Sequence, residues 1–249
     1  MNFNPDEFLK IMVKNFSNIA EKILLMITAL FACVILLVGC ECAPDINTPK
    51  IISPDAYSNA LMLNAIPDRE ILAVESNEVP LLNKISYSGG DYSYQKIGSG
   101  DSYLRLIDDA TKLSLFNIPI HLEKSDYYTI IFYGYRNSAK ALVLKDEFPQ
   151  SNDKALFRFV HTSFDAGNFV FSISGADNYE EEMPFRSFSN LSELSPGMYK
   201  IAINVPQGNR IIEKDVQIKG GSIYTILLKG TESLVTNKPL IIDVIEAKK

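Results

Sequence analysis

Residues 126–134 read Asp-Tyr-Tyr-Thr-Ile-Ile-Phe-Tyr-Gly, and residues 222–230 read Ser-Ile-Tyr-Thr-Ile-Leu-Leu-Lys-Gly. Each run is rich in β-branched and aromatic side chains, apolar on both faces and closed by glycine, which is how a strand buried on two sides reads. Tyr128-Thr129-Ile130 and Gly134 return as Tyr224-Thr225-Ile226 and Gly230, all displaced by 96 positions. Upstream, Asn64-Ala65-Ile66-Pro67-Asp68 aligns with His161-Thr162-Ser163-Phe164-Asp165 at a displacement of 97. Each match is short, but they are collinear, and collinear matches at one spacing mark a duplicated module.

The sequence around these runs alternates with period two. Tyr199, Ile201, Ile203 and Val205 share one face of residues 198–205, with Lys200 and Asn204 on the other. Leu104 and Leu106 flank Arg105, Leu113 and Leu115 flank Ser114, Phe157 and Phe159 flank Arg158, and Phe169 and Phe171 flank Val170. Such alternation predicts half-buried strands. Turn signals separate them at Gly89-Gly90-Asp91, Gly98-Ser99-Gly100, Ser195-Pro196-Gly197, Gln207-Gly208-Asn209 and Gly220-Gly221. No stretch after residue 57 sustains helical periodicity. About seven short strands in roughly 90 residues describe an immunoglobulin-like β-sandwich. The expected fold is all-β: two tandem immunoglobulin-like sandwich domains, 58–148 and 154–249, divided near the polar cluster Pro149–Lys154. The chain has no Trp, so the Cys–Trp–Cys core of antibody domains is missing.

The second unit opens Phe157-Arg158-Phe159-Val160-His161-Thr162-Ser163-Phe164-Asp165-Ala166. This resembles the opening of the domain-of-unknown-function family numbered 4397, whose pattern runs Arg-Phe-Val-His/Asn-Ala-Ser-Pro-Asp-Ala. Gly197-Met198-Tyr199 is similar to that family's later Gly-x-Tyr strand start, and Tyr224-Thr225 to its closing strand. Asn64, Ala65, Pro67 and Asp68 fit the same opening in the first unit; Phe164, Gly167 and Ile66 depart from it. The resemblance implies tandem sandwich modules of the bacterial envelope, often on lipoproteins, and implies no catalytic residues.

The first forty residues read as an address. Lys10, Lys14 and Lys22 precede an apolar run from Ile23 to Val38, broken only by Thr28, and Leu37-Val38-Gly39-Cys40 follows. A basic start, an apolar stretch and small residues at the cut describe a secretory signal. Leu-Val-Gly-Cys resembles the lipobox of bacterial lipoproteins, in which the Cys thiol takes a diacylglycerol. The expectation is therefore a signal peptide over 1–39, lipid attachment at Cys40, and a tether over 40–57 carrying Pro44, Pro49 and Pro54. Met12 is an alternative start that gives a signal of more ordinary length. A Pro-rich tether extends at ~3.1 Å per residue, which would hold the folded part up to ~50 Å from the membrane. The expected location is the cell envelope, at the outer membrane or cell surface. After cleavage Cys42 is the one remaining free thiol, so no disulfide framework is expected.

Composition narrows function further. Lys plus Arg number 24 against 30 Asp plus Glu, a net charge of −6, which argues against a nucleic-acid partner. No G-x-x-x-x-G-K, G-x-G-x-x-G or H-E-x-x-H occurs, and no cofactor or metal site is expected. His161 beside Ser163 and Asp165 invites a triad or metal reading, but Asn64 holds the matching place in the first unit. The plainer account is that both pin the turn after a strand through side-chain-to-backbone bonds. His121 reads as a surface strand residue. The S-x-x-K runs at Ser93–Lys96 and Ser151–Lys154 lack the helix that such chemistry needs, and Glu180–Glu182 reads as a solvated loop. Tyr87, Tyr92, Tyr94 and Tyr103 stand among Gly89, Gly90, Gly98 and Gly100. Tyr in a Gly/Ser loop makes an adaptable contact surface, so 87–103 is the candidate ligand-contact segment. The expectation is a non-catalytic envelope lipoprotein with a protein partner; the alternative is a glycan- or small-ligand-binding module using that loop.

Overall fold

The computed structural model describes residues 56–90, 92–135, 138–205, 210–233 and 236–249. The expected signal peptide, Cys40 and the tether as far as residue 55 lie outside the described residues. The described residues all fall in one compact unit, Ile52–Lys249. They form sixteen strands and no helix.

The first eight strands are β1 (Tyr57–Ala65), β2 (Ile71–Ser76), β3 (Val79–Ser86), β4 (Gln95–Gly98), β5 (Gly100–Asp108), β6 (Ser114–Leu122), β7 (Tyr127–Tyr133) and β8 (Lys140–Asp146). The second eight are β9 (Ala155–His161), β10 (Phe169–Ser174), β11 (Asn178–Met183), β12 (Ser192–Leu194), β13 (Gly197–Val205), β14 (Arg210–Ile218), β15 (Ile223–Lys229) and β16 (Ile241–Ala247). Sheets of order β4-β1-β7-β8 and β3-β2-β5-β6 enclose the first repeat; β12-β9-β15-β16 and β11-β10-β13-β14 enclose the second. Adding eight to each strand number of one repeat gives the other. The parallel register of the inner sheets obeys the same rule. Ala60 lies opposite Tyr128 in a parallel pair, and Phe157 lies opposite Tyr224 in another. These are the displacements of 97 and 96 found in the sequence.

The all-β sandwich reading holds. Each repeat has four strands in each of two sheets, one strand more than the seven expected. The extra strands, β8 and β16, close the inner sheets. β6 begins at Ser114, which leaves Leu113 65% exposed in the turn before it rather than on an inner face. Glu180–Glu182 lie in the edge strand β11, not in a loop, and pair with Ser172, Phe171 and Val170.

Strands β7 and β15 are buried on both faces because each inner sheet has two buried faces. One face covers its own sandwich core: Ile130 and Phe132 in the first repeat, Tyr224, Ile226 and Leu228 in the second. The opposite faces meet in a third apolar cluster, where Leu61, Leu63, Ile131 and Leu144 pack with Val160, Ile223, Leu227 and Ile245. The unit Ile52–Lys249 is thus four sheets deep, and its two inner sheets lie back to back. Gly134 and Gly230 end the matching strands at φ 123° and 101°, where only glycine is unstrained. A Cβ on Gly230 would stand 2.2 Å from the Pro239 carbonyl oxygen, so the close approach requires glycine as well.

Candidate functional site

The seam between the inner sheets gathers three of the four candidate tyrosines. Alternation along β9 turns Phe157 and Phe159 into the second core and Arg158 toward the other side. That other side is not solvent. Arg158 is 2% exposed, and its guanidinium donates to Asp146 Oδ1 at 2.6 Å, to the Thr225 hydroxyl at 3.2 Å and to the Lys145 carbonyl at 3.2 Å. The Tyr94 hydroxyl donates to Asp146 Oδ2 at 2.7 Å, as does Thr129 at 2.8 Å. Burial, and then the Asp146 charge, hold the Tyr94 phenol well above its ordinary pKa.

A second polar knot lies along the same seam. Lys229, also 2% exposed, closes the apolar run of β15 and donates to Asp243 at 2.8 Å and to the Tyr87 carbonyl at 2.6 Å. Its ammonium stands 4.7 Å from the centre of the Tyr87 ring, and that of Lys238 stands 5.1 Å from it, both within cation–π range. The Tyr92 hydroxyl donates to Asp243 at 3.2 Å, and burial raises its pKa. Lys238 pairs with Glu70 of the first repeat and holds that carboxyl below its usual range. A buried charge is tolerated only when its partners are in place, and here each pair draws partners from both repeats.

Tyr87 is therefore buried and Tyr92 and Tyr94 are half-buried, with their polar atoms directed into the seam, whereas Tyr103 is 58% exposed on the outer face of β5. The structure groups the first three and sets the fourth apart, in a shallow depression with Asn77, Glu78, Arg105 and Asn117. Segment 92–95 has a concavity on either side. One is a groove of 430 Å³ lined by Asn59, Tyr94, Tyr127, Glu246, Lys248 and Lys249, among others. There Tyr94, Tyr127 and Phe148 meet edge to face, with ring centres 5.0–6.0 Å apart. The other is a cavity of 340 Å³ between the edges β3 and β4, floored by Met62, Leu82 and Ile85.

His161 is fully buried, and its Nε2 bonds the Gly167 carbonyl at 2.9 Å. Asn64, its counterpart, donates to the Arg69 carbonyl and accepts from the Ile66 amide, both at 2.9 Å. Both pin the turn after the first strand of their repeat. The Ser163 hydroxyl donates to Asp165 at 3.2 Å, while the His161 Nε2 is bonded to the Gly167 carbonyl, so the pair is not the serine–histidine contact that activates a nucleophile. Asp165 also accepts the amides of Glu232 and Ser233 at 2.9 Å. His121 is an exposed strand residue beside Asp101. Among the described residues no group of three or more His, Cys, Asp or Glu could hold a metal ion. The residues that sequence reasoning passed over are Arg158, Asp146, Lys229 and Asp243. The available signal was a cation inside or closing a strand that is otherwise apolar on both faces.

Asn64 and His161 both lie within the span that the family comparison matches. Residues 58–172 match DUF4397, a domain of unknown function. The DUF4397 match covers the first repeat and runs into β10 of the second, and it is the family that the motifs resemble. No curated protein matches the chain. Among solved structures, the chain is similar to CBMbc (family CBM26) from Eubacterium rectale Amy13K, crystallised with maltoheptaose. The identity is 10%, the TM-score is 0.26, and the alignment covers 78% of this chain and 97% of that one.

Proposed function

We propose that this protein is a non-catalytic envelope lipoprotein, anchored through Cys40 at the outer membrane or cell surface, whose paired sandwiches form a rigid module for a protein partner. The buried seam carries this reading. Arg158–Asp146 and Lys229–Asp243, with Tyr87, Tyr92 and Tyr94, fix one repeat against the other. A module of fixed geometry on a lipid tether holds a recognition surface at a set distance and angle from the membrane. The lipid supplies the anchoring, since each buried methylene contributes ~0.8 kcal/mol and two chains suffice for stable attachment. The test is metabolic labelling with palmitate in cells carrying Cys40→Ser, followed by cross-linking and purification of the wild-type protein. The expected result is label and membrane retention in the wild type, both lost in the variant, with a protein cross-linked to the body. Membrane retention of the unlabelled variant overturns the anchor.

The groove beside Tyr94 and Tyr127 favours a second reading, as a glycan-binding module. Aromatic faces next to Asn59, Glu246 and Lys248 suit a sugar, which offers apolar ring faces and hydroxyl edges together. Glycan-array binding that is lost in Tyr127→Ala supports it, and a blank array removes it.

A further inference from the structure

The two repeats differ at one edge in a way that leaves room for a ligand. In the second repeat the Tyr179 ring of edge strand β11 lies 5.3 Å from Phe157 and 5.9 Å from Phe159, and its hydroxyl donates to Glu181 at 2.7 Å. The register puts Val79, Ala60, Met62 and Leu82 of the first repeat at those four positions. Smaller side chains replace three rings there. The first repeat keeps a cavity of 340 Å³ between β3 and β4, with Met62 and Ile85, both core residues, at its floor.

We infer that this cavity binds a small amphipathic carboxylate, its hydrocarbon body over Met62, Leu82 and Ile85 and its anionic head at Lys84. The volume lies in the range of small-ligand pockets. At about 30 Å³ per water-sized group it holds about ten heavy atoms, the size of octanoate. The floor is thioether and aliphatic, which suits an alkyl body; the one ring in the lining, Tyr92, is half-buried and directs its hydroxyl away to Asp243. At the rim, Lys84 is the one charged residue among the described lining residues, is exposed, and has no described carboxylate paired with it. The Gln95 amide and Ser93 hydroxyl line the same cavity, and the amide donates to the hydroxyl at 3.0 Å. Glu70, which reaches Ser86 and Ser88, is neutralised by Lys238. The cavity is distinct from the groove at Tyr127, and the inference depends neither on the lipid anchor nor on glycan binding.

The probe is octanoate, titrated into the full chain labelled with ¹³C at the methionine methyls and read by NMR. The expected result is saturable binding of one octanoate per chain that moves the Met62 methyl signal. Met62→Phe, which installs the residue of the second repeat, should weaken binding at least tenfold, a loss of 1.4 kcal/mol or more. Lys84→Gln should weaken octanoate about threefold, the scale of an exposed ion pair, and leave octanamide unchanged. Lys84 is exposed, so that variant reports whether or not Met62→Phe folds. A Met62 signal unmoved by octanoate, undiminished binding to folded Met62→Phe, or tighter binding of octylammonium than octanoate would each overturn the site.

Discussion

Ala60, Met62, Leu72 and Val74 line the core of the first repeat where the second places Phe157, Phe159, Phe169 and Phe171. The strand order is nonetheless the same in both, and so is the parallel register of the inner sheets; the outer sheet of the first repeat is bulged where that of the second is regular. Topology here is held by the period-two pattern and by the parallel pairing of first and seventh strands, not by the identity of the core side chains. That agrees with the general tolerance of cores to change when patterning persists. What the side chains do decide is volume. Four phenylalanines fill one sandwich, and the other retains a cavity beside Met62. The repeats differ as sharply on their backs, where Arg158 faces the seam at the place of Leu61 and Asp146 at the place of Ala247.

The largest expected effect comes from breaking that asymmetry. Asp146→Ala leaves the Arg158 guanidinium buried without its carboxylate, a change that costs about 3–5 kcal/mol. Urea denaturation of the full chain measures it. The double variant Arg158→Leu with Asp146→Ala gives the seam the residues that the other repeat carries, and it should recover most of the loss, because a buried pair replaced by apolar groups is often neutral. If the single variant loses under 1 kcal/mol, the pair is not what joins the repeats.

The core comparison gives the next effect. Phe159→Ala should cost about 4 kcal/mol, and Met62→Ala, already beside a cavity, about 2 kcal/mol. Equal costs in denaturation would mean that the first repeat is as tightly filled as the second, and the cavity beside Met62 would lose its physical basis.

Much of this architecture was legible in the sequence. Residues 126–134 and 222–230 announce two-sided burial, and Asn64 and His161 mark equivalent turns. The seam was not legible. Alternation in Phe157-Arg158-Phe159 tells which face Arg158 takes, but not that another sheet covers that face. Tyr87, Tyr92 and Tyr94 among glycines fit an open loop as well as a packed one. Their partners, Asp146 and Asp243, lie 52 residues from Tyr94 and 151 from Tyr92, beyond any local pattern. The clue lay in Lys229, which ends an apolar strand with a charge that needs a partner.

The matching turn residues offer the smallest and most specific contrast. Asn64 and His161 do the same mechanical work, yet only histidine titrates near neutral pH. His161 is packed against Phe169, Phe171 and Phe185, its Nδ1 is buried without a hydrogen-bond partner, and burial lowers its pKa below the ordinary 6.5. The folded state therefore takes up the proton less readily than the unfolded chain. Stability is fully present above the unfolded value and declines as pH falls from about 6.5 toward the folded value, at most by about 1.4 kcal/mol per pH unit. His161→Asn, which borrows the first repeat's solution, should flatten the profile between pH 6.5 and 5, while Asn64→His should steepen it. Melting temperatures of the full chain across that window measure both, and a wild-type profile that rises on acidification would show that His161 is charged in the fold rather than buried neutral.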